Sequence, residues 1–239
     1  LIIISKETSK DLNKFVKLLR EENVSVLNQT PAMFYNVINE EMLYNDADLN
    51  IRYVIFGGEA LNPSKLKPFR EKYQKCKLIN MYGITETTVH VTFKELSDDD
   101  IENGKSNIGK PIPTLKTYIM DKNLNLLPIG IPGEICVSGD GVARGYLNQK
   151  ELTNKKFVVN PYSPNERLYR SGDLGRFFAR GDMEYLGRID SQVKVRGFRV
   201  EIGEIERNIS SFPKVKDVVV IPKKDENEKS YLVAYLVCT

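Results

Sequence analysis

Between Asp11 and Tyr82 the chain alternates helical apolar spacing with short apolar runs that end in glycine. Leu12, Phe15, Val16 and Leu19 recur at helical intervals from Asp11 to Glu22, with Ser9 or Asp11 as the cap. Val24 to Leu27 predicts a strand, and Pro31 opens a second helix carrying Met33, Phe34, Val37 and Ile38 on one side. Ile51 to Phe56 predicts a strand ending in Gly57-Gly58, Pro63 to Tyr73 a helix, and Lys77 to Tyr82 a strand ending at Gly83. Strands alternating with helices of this length predict a parallel sheet with helices packed on it. The opening run Leu1 to Ile4 predicts a buried strand already in progress, so the chain is expected to begin within a domain.

After Glu95 the texture changes. Glycine and proline become frequent (Gly109, Pro111, Pro113, Pro128, Gly130, Pro132, Gly133), and strand patterns replace helical ones. Lys116 to Met120 and Glu134 to Ser138 predict strands, with a turn at Asp121 to Asn125. A small antiparallel sheet or barrel fits this pattern. A third unit begins near Arg188, with a basic hairpin (Gln192 to Val200), a helix from Glu204 to Ser211, and strands at Val218 to Ile221 and Tyr231 to Val237. The expected architecture is α/β plus β: an α/β unit over 1–95, a barrel-like β unit over 96–189 and a small α+β unit over 190–239.

Several function classes are excluded on composition. The 35 Lys and Arg against 32 acidic residues leave a net charge of +3, which gives no electrostatic footprint for nucleic acid. No apolar run approaches the length of a membrane span. The three cysteines are widely spaced, no CxxC occurs, and His90 is the single histidine, so a zinc site is not expected. Reduced thiols in a cytoplasm fit this pattern.

Four segments carry chemistry. Phe56 to Ala60 puts two glycines at the end of a parallel strand, where backbone can approach a flat ligand, although a plain strand-to-helix turn has the same residues. Asn80 to Thr92 follows the next strand and offers the Tyr82 ring for stacking, the Asn80 amide for a base edge, the Thr85 hydroxyl and the Glu86 carboxylate. Tyr169 to Leu174 places Asp173 after a tight glycine turn, where it can accept from both hydroxyls of a ribose or simply cap the turn. Gly187 to Glu206 clusters Arg188, Lys194, Arg196 and Arg199 around Asp190, either as a solvated basic hairpin or as phosphate and ribose contacts.

In this order and spacing the segments resemble the core motifs of adenylate-forming (AMP-binding) enzymes, and most closely those of nonribosomal peptide synthetase adenylation domains. Gly133 to Leu147 and Asn107 to Pro111 extend the resemblance over essentially the whole chain. It implies the C-terminal part of the family's large domain, an α/β subdomain and a small β-barrel, followed by part of the small C-terminal lobe. It also implies a reaction: a carboxylic acid and ATP give an acyl-adenylate and pyrophosphate, and the acyl group passes to a phosphopantetheine thiol on a carrier domain.

The resemblance assigns roles by motif position. Gly58, Glu59, Ala60 and Tyr82 would sandwich the adenine, with Asn80 on its edge and Asp173 on the ribose diol. Thr85 would contact the α-phosphate and Glu86 the magnesium ion. Arg188 and Lys194 would make further ribose or phosphate contacts, and Asp190 would be the hinge of the small lobe. Asn28, Ile55, Gly57, Met81, Val89 and His90 fall at the positions of the amino-acid pocket, and this sextet resembles that of threonine-activating domains. Ile55, Met81 and Val89 can hold a methyl group; Asn28 and His90 can bond a hydroxyl.

The family's glycine-rich phosphate loop precedes these motifs, and this chain has no glycine before Gly57. The reactive lysine of the small lobe and the aspartate that pairs with the substrate ammonium are likewise not found. The chain is therefore expected to be truncated at both ends and inactive alone, within a parent enzyme that carries a condensation domain beside it. Two other readings remain open on the residues: a stand-alone amino-acid–carrier ligase, and a non-catalytic nucleotide- or carrier-binding module.

Overall fold

The computed structural model describes residues 2–43, 48–189, 193–195, 198–224 and 230–238. Helix α1 (Lys6–Lys10) and helix α2 (Leu12–Glu21) lead to strand β1 (Val26–Gln29), helix α3 (Pro31–Leu43) and strand β2 (Tyr53–Phe56). A 3-10 turn at Pro63–Leu66 runs into α4 (Lys67–Lys72), followed by β3 (Lys77–Asn80). Asp11 caps α2 by accepting from Lys14 N. Strands β1, β2 and β3 pair in parallel, with Asn28 opposite Ile55 and Ile55 opposite Ile79. Alternate residues therefore share a face. Leu27, Val54, Phe56 and Leu78 pack under the helices against Phe15, Val16, Phe34 and Val37. Phe34 meets Phe56 and Phe69 edge-on at 5.2 and 5.0 Å. The opposite face carries Asn28 and Ile55 and is open among the described residues, with Val26 51% exposed.

The opening apolar run is not a strand. Residues Ile2 to Ile4 lie off the sheet, and Ile3 is 91% exposed. β1 is the outermost strand of the path, and Ile2 to Ile4 do not pair with its free edge. Instead Ser5 caps α1 by accepting from Thr8 N.

The same sheet continues through β4 (Thr92–Glu95) and, after α5 (Asp98–Asn103), β5 (Asn107–Pro111). Strands β6 (Leu115–Met120) and β7 (Gly133–Gly139) follow, then α6 (Lys150–Lys156), β8 (Phe157–Val159), β9 (Arg167–Phe177) and β10 (Met183–Arg188). From β3 onward the order is β4-β5-β10-β9-β7-β6, antiparallel throughout, with β8 on β9. Its interior holds Ile108, Leu115, Ile119, Ile135, Val137 and Met183.

The region after Glu95 is not strand alone. Helix α5 forms on a capping box: Ser97 Oγ accepts from Asp100 N, and Asp100 accepts from Ser97 N. It has one buried apolar side chain, Ile101, so apolar spacing does not mark it. Helix α6 buries no residue at all.

The C-terminal unit comprises β11 (Val193–Val195), β12 (Phe198–Val200), α7 (Ile202–Ser210) and a long hairpin, β13 (Val215–Lys224) with β14 (Ser230–Cys238). Ile202, Ile205 and Ile209 on α7 pack on Val218, Val220 and Leu232. No helix among the described residues is long and apolar enough to cross a membrane.

Candidate functional site

The C-terminal ends of β2 and β3 open into a narrow cleft. Residues Gly58 to Leu61 and Asn80 to Gly83 supply most of its lining, with Ser106, Ile108 and Tyr185 from the antiparallel part of the sheet. Gly58 has φ +85°, a conformation that a side chain makes costly. Bare backbone and two tyrosine rings suit a flat heteroaromatic ligand. The Tyr82 and Tyr185 rings lie 5.9 Å apart at 36°. Asn80 is 3% exposed, and its Nδ2 donates to the Asn107 carbonyl at 2.8 Å. Glu59 turns its carboxylate to α3, accepting from Ala32 N at 3.2 Å. An anionic group is favourable at that helix end.

Behind the cleft stands a buried ion pair. Asp173 and Arg188 face each other across β9 and β10. Arg188 Nη1 meets Asp173 Oδ1 at 2.7 Å, with side-chain exposures of 8% and 1%. Tyr82 donates its hydroxyl to Asp173 Oδ2 at 2.7 Å. Arg188 Nη2 also reaches the Ser171 carbonyl at 3.3 Å, and Ser171 Oγ accepts from Asp173 N at 2.9 Å. Burial and the Asp173 charge push the Tyr82 hydroxyl well above its ordinary pKa, so it remains a donor.

Thr85 and Glu86 lie on a 3-10 turn (Thr85–Thr87) beyond the cleft. The chain then passes through two left-handed residues, Thr88 at φ 62° and Val89 at φ 70°. A β-branched residue there is a genuine outlier and marks a tightly constrained loop. Gly83 permits the fold-back, because a Cβ on it would lie 1.9 Å from Val89 O. Glu86 is 8% exposed and accepts from Tyr146 Oη at 2.7 Å, while Tyr146 and Tyr169 hydroxyls lie 3.2 Å apart. Thr85 is exposed. Their donors are all oxygen, the chemistry that magnesium takes. No group of three or more His, Cys, Asp or Glu side chains that could hold a metal occurs among the described residues. A magnesium ion there would take one protein carboxylate, Glu86.

Of the six expected pocket residues, Asn28 and Ile55 lie on the open sheet face, and Gly57, Met81 and His90 at its C-terminal edge. Asn28 and Ile55 are register partners, and Met81 N donates to Phe56 O at 2.9 Å. Gly57 leaves room for His90, whose Cε1 would lie 3.5 Å from an added Cβ. His90 Nδ1 is buried and has no hydrogen-bond partner. Val89 is 59% exposed. Asp190 lies outside the described residues, as does the side chain of Lys194 on β11.

Sequence reasoning missed several contributors. Ser106, just before β5, Ile108 on β5 and Tyr185 on β10 line the cleft from far along the chain, and Tyr146 holds Glu86. Tyr146 falls within the segment Gly133 to Leu147, which carried the resemblance without a role for this residue. Ser106 and Tyr185 have no local signal, because only the β5–β10 pairing brings them to the cleft.

Comparison with known proteins follows the same lines. The family described as AMP-binding enzyme matches residues 1–147. A plipastatin synthase of Bacillus subtilis (strain 168) is 55% identical over 237 residues, covering 99% of this chain and 9% of that protein. A dimodular nonribosomal peptide synthase of the same organism is 44% identical over 244 residues, covering 99% of this chain and 10% of that protein. The chain thus spans about a tenth of these curated relatives. Among solved structures, PA1221, an NRPS protein containing adenylation and PCP domains, superposes with TM-score 0.84 at 25% identity, over 96% of this chain and 46% of that one. A four-domain nonribosomal peptide synthetase bound to AMP and glycine superposes with TM-score 0.69 at 33% identity, over 99% of this chain and 17% of that one.

Proposed function

The chain belongs to the AMP-binding enzyme family, and we propose that it activates an amino acid as its adenylate within a nonribosomal peptide synthetase, with L-threonine as the substrate. Its fold is that of the C-terminal part of an adenylate-forming enzyme: a mixed α/β sheet followed by a small lobe with its own β-sheets. We further propose that the units 1–95, 96–189 and 190–239 are its functional divisions, with Asp190 as the hinge between the second and the third.

The observation that carries this reading is the cleft at the sheet's C-terminal edge, joined through Tyr82 to the buried Asp173–Arg188 pair. A purine sits in the cleft against Gly58 to Ala60 and the Tyr82 ring, with Asn80 at its edge. Asp173 already accepts from Tyr82 and Arg188, one on each oxygen. Asp173 is 1% exposed, so a ribose diol reaches it by displacing one of these partners. The amino-acid carboxylate attacks the α-phosphorus of ATP, and pyrophosphate leaves. Thr85 binds the α-phosphate, and Arg188 and Lys194 supply positive charge near the nucleotide. Bound at Glu86, magnesium would neutralise phosphate charge. The thiol of a phosphopantetheine on a carrier domain then attacks the acyl carbon, AMP leaves and the thiol proton is released, in a cytoplasmic assembly with a condensation domain as neighbour. The presence of adenylation and PCP domains together in PA1221 supports the carrier partnership.

The choice of threonine rests on the pocket. Ile55 and Met81 offer an apolar wall for the methyl group. The orphaned Nδ1 of His90, beside Gly57, supports a hydroxyl-bearing side chain. A substrate hydroxyl would satisfy that buried nitrogen. Trapping with hydroxylamine tests the reading. The natural polypeptide that carries this chain should form threonyl hydroxamate in an ATP-dependent manner, and hydroxamate with no ATP dependence would contradict it.

A further inference from the structure

We propose that Ser106 is a nucleobase-positioning residue of the cleft, its hydroxyl bonding the polar edge of the purine. The inference rests on the nucleotide reading above and names a contact that the motifs do not contain. Ser106 directly precedes β5, and its carbonyl accepts from Tyr185 N at 2.9 Å, which fixes it at the β5–β10 junction. Ser106 Oγ is buried and has no hydrogen-bond partner. Of the described buried side-chain atoms in that condition, it alone belongs to a residue lining the cleft.

The neighbouring polar groups are engaged. Asn80 Nδ2 is given to the Asn107 carbonyl, and the Tyr82 hydroxyl to Asp173. A buried serine ordinarily turns its hydroxyl onto nearby backbone. One left unsatisfied is a group that calls for an explanation, and a bound polar partner supplies one. A purine edge presents both ring-nitrogen acceptors and, in adenine, an amino donor. A hydroxyl can serve either.

A purely structural serine and a ligand-facing one respond oppositely to Ser106→Ala. AMP affinity by isothermal titration calorimetry and melting temperature without ligand are measured on the 239-residue chain. Removal of a ligand contact weakens AMP binding about three- to tenfold. Removal of an unsatisfied buried hydroxyl leaves the ligand-free melting temperature unchanged or raises it. Unchanged AMP affinity would overturn the inference while leaving the nucleotide reading intact. A lowered ligand-free melting temperature would make Ser106 a structural residue and overturn it as well. Failure of the unaltered chain to bind AMP would overturn the nucleotide reading and this inference with it.

Discussion

The Tyr82 hydroxyl donates to Asp173 Oδ2 at 2.7 Å, joining residues 91 positions apart. This bond ties the end of a parallel strand to the antiparallel β9–β10 pair, so the cleft and its anionic wall form one unit. Asp173→Ala would remove the carboxylate that pairs with the buried Arg188 and cost about 3–5 kcal/mol of stability. Tyr82→Phe removes only the hydroxyl, keeps the ring and keeps the ion pair. Its cost is about 1.5–3 kcal/mol, since the bond is to a charged acceptor. Urea denaturation of the two variants should rank them in that order, and equal midpoints would show that the Asp173–Arg188 pair is not buried as described.

Gly83→Ala is expected to unsettle the loop that carries Thr85, Glu86 and His90. Its Cβ would meet Val89 O at 1.9 Å, and that partner is backbone. The loop must shift, which typically costs about 1–3 kcal/mol. AMP affinity and melting temperature should both fall. An unchanged melting temperature would mean that the fold-back at Val89 is absent in solution.

Glu41 is fully buried and joins three elements, bonding Arg20 of α2, Lys72 of α4 at 2.8 Å and the Tyr73 hydroxyl. Glu41→Leu removes an acceptor shared by three donors and is expected to cost on the order of 3 kcal/mol. The chemical-denaturation midpoint checks it, with the ligand site serving as an internal control because no cleft residue is touched.

The α/β part was legible because its helices are marked twice, by apolar spacing and by caps such as Asp11, and its strands by terminal glycines. Legibility failed where burial was not apolar. Helix α5 rests on Ser97 and on Asp100, which is drawn inward by Asn107 and Lys94. The opening run failed in the opposite direction: Ile2 and Ile3 are apolar yet exposed, and the free edge of β1 stays unpaired by them. In the site, Asn80, Tyr82, Glu86 and Asp173 could be named because each lies in a contiguous motif. Their partners could not. Tyr185, Ser106 and Tyr146 reach them through strand pairing and tertiary packing, which the local sequence does not encode.

Thiol chemistry gives a test that does not involve a ligand. Burial pushes Cys76 up to about 11 and Cys136 up to about 12, while Cys238 is exposed. At pH 8 iodoacetamide should alkylate Cys238 alone in the folded chain, and all three cysteines in urea. Both folded values are raised above the ordinary 9.0, so the buried thiols stabilise the fold fully below about pH 9. That contribution is lost as pH rises toward 11–12. Mass spectrometry and a pH series of urea midpoints check the two halves, and native labelling at Cys136 would contradict the buried core of β7.

Amino-acid-dependent ATP–pyrophosphate exchange is the most direct test of the proposed activity, run on the longest natural polypeptide that carries this chain against a panel of amino acids. L-threonine is expected to give the highest rate. Valine replaces the hydroxyl with a methyl and leaves His90 unsatisfied, so it should fall behind by roughly four orders of magnitude. His90→Ala should narrow that gap while leaving AMP affinity unchanged. A panel in which serine, valine or 2,4-diaminobutyrate outranks threonine would contradict the pocket assignment. Exchange with no amino-acid dependence would contradict the proposed activation itself.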